Sequence, residues 1–302
     1  MTALNRLAER LTNVGDIRRN ELMSRHTTFG VGGPADLYVT VRSADALAEA
    51  TRLAADADCE PFVLGSGSNI VVADGGIRGV VIDNRAREEK QEGLQVRIGS
   101  GASFAGFARK MCRTGLAGLA WAVGIPGTLG GAVFYNAGAY GGCLSDVLTR
   151  VRLLNLEDGT NWLDANDLEL AYRSSAFKNG ALARHTVLEV ELTLSDGNAA
   201  ALVAEASSYD QRRLAAQPRG RNAGSMFTNS PDSPAWKLID SVGLRGERRG
   251  EAAISEQHTN FFMNLGKAKA SDVLWLVEEA ERRVFETHGI HLHREVGFVG
   301  AW

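Results

Sequence analysis

The stretch GIPGTLGGAVFYNAGAYGG, from Gly124 to Gly142, decides how the rest of the chain is interpreted. Seven of its nineteen residues are glycine, and a charge-free run extends around it from Thr114 to Ser145. Glycine weakens an ordinary helix or strand, so such a cluster indicates positive φ or a close approach of backbone to a ligand. Successive N–H groups in a loop of this kind can form a concave site for anionic oxygens. On this stretch alone, a set of tight turns between strands is the alternative.

Composition indicates an ordinary globular protein with no nucleic-acid partner. The chain has 302 residues, of which 44% are hydrophobic and 23% charged, enough for two or three domains. Lys and Arg number 33 against 36 Asp and Glu, so a net charge of −3 gives no reason to expect nucleic acid or an anionic membrane. Glycines and Pro126 interrupt the one long apolar run, which argues against a membrane span.

Several features favour a cytoplasmic location and argue against a metal site. Residues 1–14 predict a short amphipathic helix, not a secretory signal. The three cysteines, an odd number without CxxC spacing, are interpreted as reduced core thiols: Cys59, Cys112 and Cys143. The spacing of His288, His291 and His293 matches no common metal site.

Hydrophobic periodicity predicts an α+β fold. Helices are expected at 1–14, 43–58, 103–114, 198–217, 235–242 and 271–288, with Ser43 and Ser271 as N-caps. Strands are expected at 36–41, 61–64, 70–72, 79–83, 94–99, 151–156 and 187–194.

Two further glycine-rich motifs resemble nucleotide-binding loops but lack the usual context. GVGGPA (Gly30–Ala35) and GSGSN (Gly65–Asn69) are each followed by a predicted strand, whereas the dinucleotide fingerprint requires a helix there. GSGSN could still bind phosphate through backbone N–H groups and the hydroxyls of Ser66 and Ser68. GSGSN and the central stretch are thus two glycine-rich loops tied to β structure, and together they suggest one extended ligand with a pyrophosphate, for which FAD would be suitable.

Three polar residues stand in short motifs that are uninformative when taken singly. They are Arg173 in YRSSAFK, Ser225 in AGSMFTNS and Glu295 in HLHREVGF. An isolated arginine is by default a surface charge, and an isolated serine a turn residue. The segment Ile254–Asn264 could line a ligand cleft, and RGERR (Arg245–Arg249) is either a solvated loop or an anion site.

Taken together and in order, these motifs resemble the UDP-N-acetylenolpyruvoylglucosamine reductase (UDP-N-acetylmuramate dehydrogenase) family. The resemblance covers nearly the whole chain, and the length resembles the shorter subtype without an extra tyrosine-bearing loop. It rests on residues 27–39, 64–82, 124–142, YRSSAF, AGSMFTN, 238–264 and the terminal REVGFVG.

The resemblance implies a fold and its domains. Residues 1–85 and 86–207 would form a two-part FAD-binding module of the vanillyl-alcohol-oxidase type. Residues 295–302 would complete the second part, and 208–294 would form an α+β domain for the UDP-sugar.

It also implies a reaction, in which NADPH reduces noncovalently bound FAD and hydride then passes to C3 of an enolpyruvyl ether. Ser225 would give a proton to C2, while Arg173 and Glu295 would stabilise the developing charge. The implied cofactor-binding residues are Gly65, Ser66, Gly67, Ser68, Asn69, Gly124, Ile125, Pro126, Gly127, Gly130, Gly131, Asn136, Ala137 and Gly138. The implied substrate-binding residues are Tyr172, Asn229, Lys237 and Asn260.

The chain departs from the family pattern at three positions. Thr228 and Ser230 replace a common Lys and Pro, so Lys237 and Arg245 become the candidate cations for substrate phosphate. Arg294 replaces a Pro before Glu295. The rival hypotheses are a flavin oxidase of the same superfamily and a UDP-sugar-binding module without flavin. Protein partners and oligomeric state are not predicted.

Overall fold

The computed structural model describes residues 3–229 and 233–302, which divide into two compact units. The first unit comprises the residues up to Arg19, Leu37–Gly65 and Gly79–Arg212. The second comprises Asn20–Asp36, Ser66–Arg78 and Arg213–Trp302. The predicted boundaries at 85, 207 and 294 stay a prediction.

The first half of the chain alternates helices with short strands. Its helices are α1 (Ala3–Leu11), α2 (Ala44–Ala55), α3 (Phe104–Arg113) and α4 (Leu129–Phe134). Its strands are β1 (Asp16–Leu22), β2 (Pro34–Val41), β3 (Pro61–Leu64), β4 (Ile70–Val72), β5 (Ile77–Asn84), β6 (Glu89–Glu92), β7 (Gln95–Gly99), β8 (Leu116–Ala117), β9 (Gly138–Ala139) and β10 (Gly142–Cys143).

The second half contains the longest helices. These are α6 (Ala199–Ala216) and α8 (Ala270–His288); the short helices α5 (Ala176–Asn179) and α7 (Ala235–Ser241) lie in the same half. The strands are β11 (Leu148–Asn155), β12 (Gly159–Asp164), β13 (Thr186–Thr193), β14 (Ser195–Asp196), β15 (Arg248–Arg249), β16 (Ala252–Ile254), β17 (Phe262–Asn264) and β18 (Gly297–Val299).

The first unit is built on two sheets. A five-stranded antiparallel sheet has the order β12-β11-β13-β7-β6, and a four-stranded sheet has the order β1-β2-β5-β3. Alternation along the central strands puts Val190 in the core and Glu191 on the opposite face, where Arg97 and Arg150 bind its carboxylate. Helix α3 covers the apolar face through Phe104, whose ring meets Trp121 edge to face at 5.7 Å.

The second unit is organised around α8, whose apolar stripe contacts the sheet β15-β16-β17. Its core also takes in Phe29, Val31 and Val71, which come from far earlier in the chain. Strand β18 pairs in parallel with β4, so the C-terminal segment lies beside the strand that follows the GSGSN motif.

Most predicted elements are present, with one informative exception at the start of α8. Ser43 caps α2 by accepting from the N–H of Ala46, as predicted. Ser271 is not the cap of α8, because the helix begins at Ala270. The carboxylate of Asp74 accepts hydrogen bonds from the N–H groups of Ala270 and Ser271 and from the Ser271 hydroxyl. A strand begins at Pro34, within GVGGPA, and continues to Val41, which confirms that this motif is not a dinucleotide fingerprint.

The cysteines and the helices bear on two further expectations. All three cysteines are free thiols, but only Cys112 lies in the core, so the prediction of core positions is wrong for Cys59 and Cys143. Across 3–229 and 233–302, no helix combines the length and the apolar character needed to cross a membrane.

Candidate functional site

The central glycine-rich stretch forms a short helix between two turns. Thr128 caps α4, its hydroxyl accepting the N–H of Gly131 at 3.4 Å. The stretch then returns as the hairpin β9–β10. Sequence reasoning missed α4 because Gly130 and Gly131 have poor helix propensity, which the tertiary contacts described next override.

Gly65, the first residue of the GSGSN motif, approaches the central stretch within the first unit. A Cβ atom added to Gly65 would lie 2.5 Å from the Thr128 hydroxyl oxygen, so only glycine permits this approach. The start of the GSGSN motif is thus in direct contact with the central stretch. That both loops serve one extended ligand stays a prediction.

A third segment, Gly99–Ser103, also contacts the central stretch, and the sequence analysis did not identify it. The N–H of Gly130 donates to the carbonyl of Ser100 at 2.8 Å, and that of Leu129 donates to Ala102 at 3.0 Å. The N–H of Phe104 donates to Gly127 at 3.0 Å. The letters GSGAS, directly after a predicted strand, were the signal that could have identified it.

The backbone donors of the loops differ in what they offer an anionic ligand. The N–H groups of Ile125, Gly130 and Gly131 already bind acceptors in the protein, so at these positions only close approach can serve a cofactor. Within the described residues, the N–H groups of Ser66, Gly67 and Ser68 bind no protein acceptor. Backbone donors of this kind suit anionic oxygens; cofactor binding by either loop stays a prediction.

Arg173 is anchored to the central stretch. Its guanidinium donates to the carbonyl of Gly138 at 3.0 Å, and its backbone has a φ of +54°. A left-handed conformation is strained for a residue other than glycine and recurs at functional sites. The side chain of Asn136 secures the same loop by donating to the carbonyl of Ala171 at 3.2 Å. The neighbouring Tyr172 is 64% exposed.

Ser225 and Glu295 lie on adjacent backbone segments of the second unit. The N–H of Met226 donates to the carbonyl of Asn260, and the carbonyl of Met226 accepts the N–H of Glu295, both at 2.8 Å. The side chain of Asn69 donates to the Glu295 carbonyl at 3.2 Å. Ser225, Glu295 and the end of the GSGSN motif are therefore brought together.

The predicted substrate residues have structural contacts of their own. The side chain of Asn260 is 1% exposed and bonds both the N–H and the C=O of Phe227. Asn229 accepts the first N–H of α7, from Ala235, at 3.0 Å. Lys237 is exposed above the Trp236 ring. Substrate binding by these residues and by Tyr172 stays a prediction.

The departures from the family pattern have visible consequences. The Thr228 hydroxyl donates to the carbonyl of His293 at 3.3 Å, and Ser230 lies outside the described residues. Arg245 binds the carboxylate of Asp240 and the carbonyl of Glu256, so its charge is partly engaged. Arg294 forms a bidentate ion pair with Glu281.

The imidazole rings of two C-terminal histidines make contacts within the protein. His288 bonds the hydroxyl of Ser241 at 2.8 Å, and His291 stacks on Phe285. In the described part of the chain, no group of three or more His, Cys, Asp or Glu side chains could hold a metal ion. Burial lowers the pKa of His258, whose Nδ1 accepts the N–H of Asn260 as a neutral ring does.

Comparison with known proteins gives the class and then the family. A family profile described as an FAD binding domain matches residues 35–162, which contain the GSGSN motif and the central stretch. The chain is thus an FAD-binding protein. A second profile, UDP-N-acetylenolpyruvoylglucosamine reductase, C-terminal domain, matches residues 214–299, which contain Ser225 and Glu295.

Individual relatives agree over almost the full length. UDP-N-acetylenolpyruvoylglucosamine reductase 2 of Symbiobacterium thermophilum is 38% identical over 97% of each chain. The reductase of Bacillus subtilis is 38% identical over 95% of each. The crystal structure of the Thermus caldophilus reductase matches with a TM-score of 0.80 and 34% identity, over 94% of this chain and 99% of that one.

The chain belongs to the UDP-N-acetylenolpyruvoylglucosamine reductase family and is an FAD-dependent oxidoreductase. The predicted family, the α+β fold class with its FAD-binding module and C-terminal domain, and FAD as cofactor are confirmed.

Proposed function

We propose that this protein reduces the enolpyruvyl group of UDP-N-acetylglucosamine enolpyruvate to UDP-N-acetylmuramate, a peptidoglycan precursor, with NADPH as the hydride donor. The observation that carries the proposal is the attachment of Ser225 and Glu295 to one another through Met226. These two residues are far apart in the sequence, yet they become neighbours in a unit that also holds the end of the GSGSN motif.

Noncovalently bound FAD would supply the relay for two electrons, accepting hydride from NADPH and passing it to C3 of the enolpyruvyl group. The protein must then stabilise the negative charge that develops at C2 and spreads into the substrate carboxylate. One hydride and one proton add across the double bond, so the reaction consumes one NADPH and one proton for each product.

Ser225 is the proposed donor of that proton to C2. A hydroxyl is a weak acid, so it must be held within hydrogen-bond reach of a strongly basic carbon. The backbone supports such alignment: Met226 is fixed on both its N–H and its C=O, and the preceding Gly224 has a φ of +82°. The short serine side chain then has only one heavy-atom torsion left to set.

Arg173 and Glu295 are the proposed partners of the carboxylate. The guanidinium of Arg173 supplies a fixed positive charge, and its bond to the Gly138 carbonyl limits its rotation. Glu295 is proposed to act beside Arg173, as a neutral donor or through a hydrogen bond to the substrate carboxylate. The GSGSN loop and the central stretch would hold the FAD pyrophosphate, the first by its N–H groups and the second by close approach.

Anaerobic stopped-flow spectroscopy tests the proposal directly. NADPH should bleach the flavin absorbance of the purified protein. UDP-N-acetylglucosamine enolpyruvate should then restore that absorbance without oxygen, giving one product per flavin. Restoration by oxygen alone, with release of hydrogen peroxide, would support an oxidase instead. A colourless protein that does not take up FAD would support a binding module.

A further inference from the structure

The segment that carries Glu295 has no regular secondary structure and is fixed by hydrogen bonds to the neighbouring Ser225 segment. Neither a helix nor a strand includes His293, Arg294 or Glu295. The His293 carbonyl accepts the N–H of Thr228 at 2.9 Å, and the N–H of Glu295 donates to Met226 at 2.8 Å. Backbone bonds therefore fix the residues on either side of Arg294 to the Ser225 segment.

The side chain of Arg294 ties this segment to α8. Its Nε and a terminal nitrogen reach the two carboxylate oxygens of Glu281 at 2.6 and 2.7 Å, a bidentate arrangement. The two side chains are only 33% and 28% exposed, so water screens the pair incompletely. The guanidinium also lies 5.0 Å from the centre of the Phe298 ring, in β18.

The other end of the ion pair is rigid. Glu281 follows Ala280, which is fully buried, and Val277 and Val284 anchor the same stretch of α8 in the core. A bidentate arginine–carboxylate pair fixes orientation as well as distance, which a single contact does not. Hydrogen bonding to Glu281 raises the pKa of Arg294 despite its partial burial.

We propose that Arg294 and Glu281 are positioning residues for Glu295: their ion pair sets where the Glu295 carboxyl lies relative to Ser225. The proposal rests on the proposed function, in which Glu295 acts on the substrate carboxylate. Misplacement of a reacting group by about 1 Å can cost about a hundredfold in rate. Loss of the pair should therefore slow substrate reduction markedly while changing the free energy of unfolding only a little.

The test uses Glu281→Gln, which keeps the shape of the side chain and removes its charge. The matched control is Glu286→Gln, which removes an equally short pair with Arg282 from the same helix. Glu281→Gln should slow flavin reoxidation by the substrate about tenfold or more, and flavin reduction by NADPH should stay within about twofold of wild type. The control should leave both rates near wild type.

Three further measurements separate positioning from simple destabilisation. Hydrogen exchange at residues 293–297 should be faster in Glu281→Gln than in the control. The charge-swapped double variant Glu281→Arg with Arg294→Glu should recover part of the lost rate. Adding Glu281→Gln to Glu295→Gln should cause little further loss, because the carboxyl being positioned is already gone.

The outcomes distinguish this inference from the proposed function. If Glu295→Gln leaves substrate reduction unchanged, the role of Glu295 in the proposed function fails. If Glu295→Gln slows reduction but Glu281→Gln does not, only the positioning role is overturned. Equal loss of both half-reactions in Glu281→Gln, with a matching fall in melting temperature, would also overturn it.

Discussion

The side chain of Asn260 bonds the N–H of Phe227 at 3.0 Å and its C=O at 2.8 Å. Phe227 is fully buried, so water cannot replace either bond. The side-chain amide therefore satisfies both backbone groups of Phe227, as a neighbouring β-strand would, and fixes the segment that follows Ser225. A residue that sequence reasoning assigned to substrate binding holds the backbone beside the proposed proton donor.

Replacing Asn260 by Ala should lower the free energy of unfolding by about 2–4 kcal/mol, because two buried backbone groups lose their partners. Asn155→Ala is the matched control, since that amide also makes two hydrogen bonds but in an exposed turn. Chemical denaturation of both variants measures the difference. An unchanged stability with weaker substrate binding would instead support the substrate-binding prediction for Asn260.

The contact of Gly65 with Thr128 predicts a steric effect that a second substitution should relieve. Gly65→Ala puts a methyl group 2.5 Å from the Thr128 hydroxyl oxygen and should weaken FAD binding by displacing the loop. Adding Thr128→Ala removes that oxygen, so the double variant should recover FAD affinity, at a cost of about 1 kcal/mol for the lost helix cap. Titration of the apoproteins with FAD measures the affinities. If Thr128→Ala did not restore FAD affinity, the contact with Thr128 would not be the cause of the weaker binding in Gly65→Ala.

Gly131→Ala separates crowding by the protein from crowding by the cofactor. A Cβ atom there would come no closer than 3.7 Å to the protein, an ordinary contact. The apoprotein should keep its stability or gain up to about 1 kcal/mol, because alanine favours the helix. FAD affinity should nevertheless fall if the cofactor approaches this backbone. Unchanged affinity would remove Gly131 from the predicted cofactor site.

Asp74 predicts a pH-dependent contribution to stability. Burial alone would raise its pKa, but hydrogen bonds from Ser271 and from the N–H groups of Ala270 and Ser271 lower it. A carboxyl whose pKa is depressed in the folded state stabilises that state above its unfolded pKa, and this contribution is lost as the pH falls through the folded pKa. Asp74→Ala should cost about 1 kcal/mol at neutral pH, as the loss of a helix cap does.

The difference between wild type and Asp74→Ala should shrink as the pH falls below about 4, near the ordinary pKa of aspartate. Asp16→Asn, which breaks an exposed pair with Arg42, serves as the control and should change stability little at any pH. Urea denaturation over a range of pH gives the comparison. A difference that is constant with pH would show that the carboxylate charge does not stabilise α8.

Local signals in the sequence were sufficient for most elements. Serine before an apolar-periodic run correctly predicted the cap Ser43, and the helix expected at 271–288 ends at His288 as predicted. The features that the sequence analysis did not predict depend on contacts between residues far apart in the chain. The cap of α8 comes from Asp74, 196 residues away, and α4 forms because the backbone around Ser100 accepts the bonds of a glycine-rich segment. No local pattern encodes either contact.

In the candidate site, too, some residues could be predicted from the sequence and others could not. The motif residues Arg173, Ser225 and Glu295 could be named from the family resemblance, but their supports could not. Asn260 and the Gly99–Ser103 segment act through contacts with backbone that is distant in sequence, and Glu281 acts through its ion pair with Arg294. Side-chain type alone does not reveal such roles.

The two half-reactions of Ser225→Ala, measured by anaerobic stopped flow, test the central claim most directly. Ser208→Ala, in which an exposed helical serine loses the same hydroxyl, is the control. Reduction of the flavin by NADPH should stay within about twofold of wild type, and its reoxidation by the enolpyruvyl substrate should slow by about a hundredfold or more. Equal slowing of both steps, or reoxidation at the wild-type rate, would contradict the assignment of Ser225 as the proton donor.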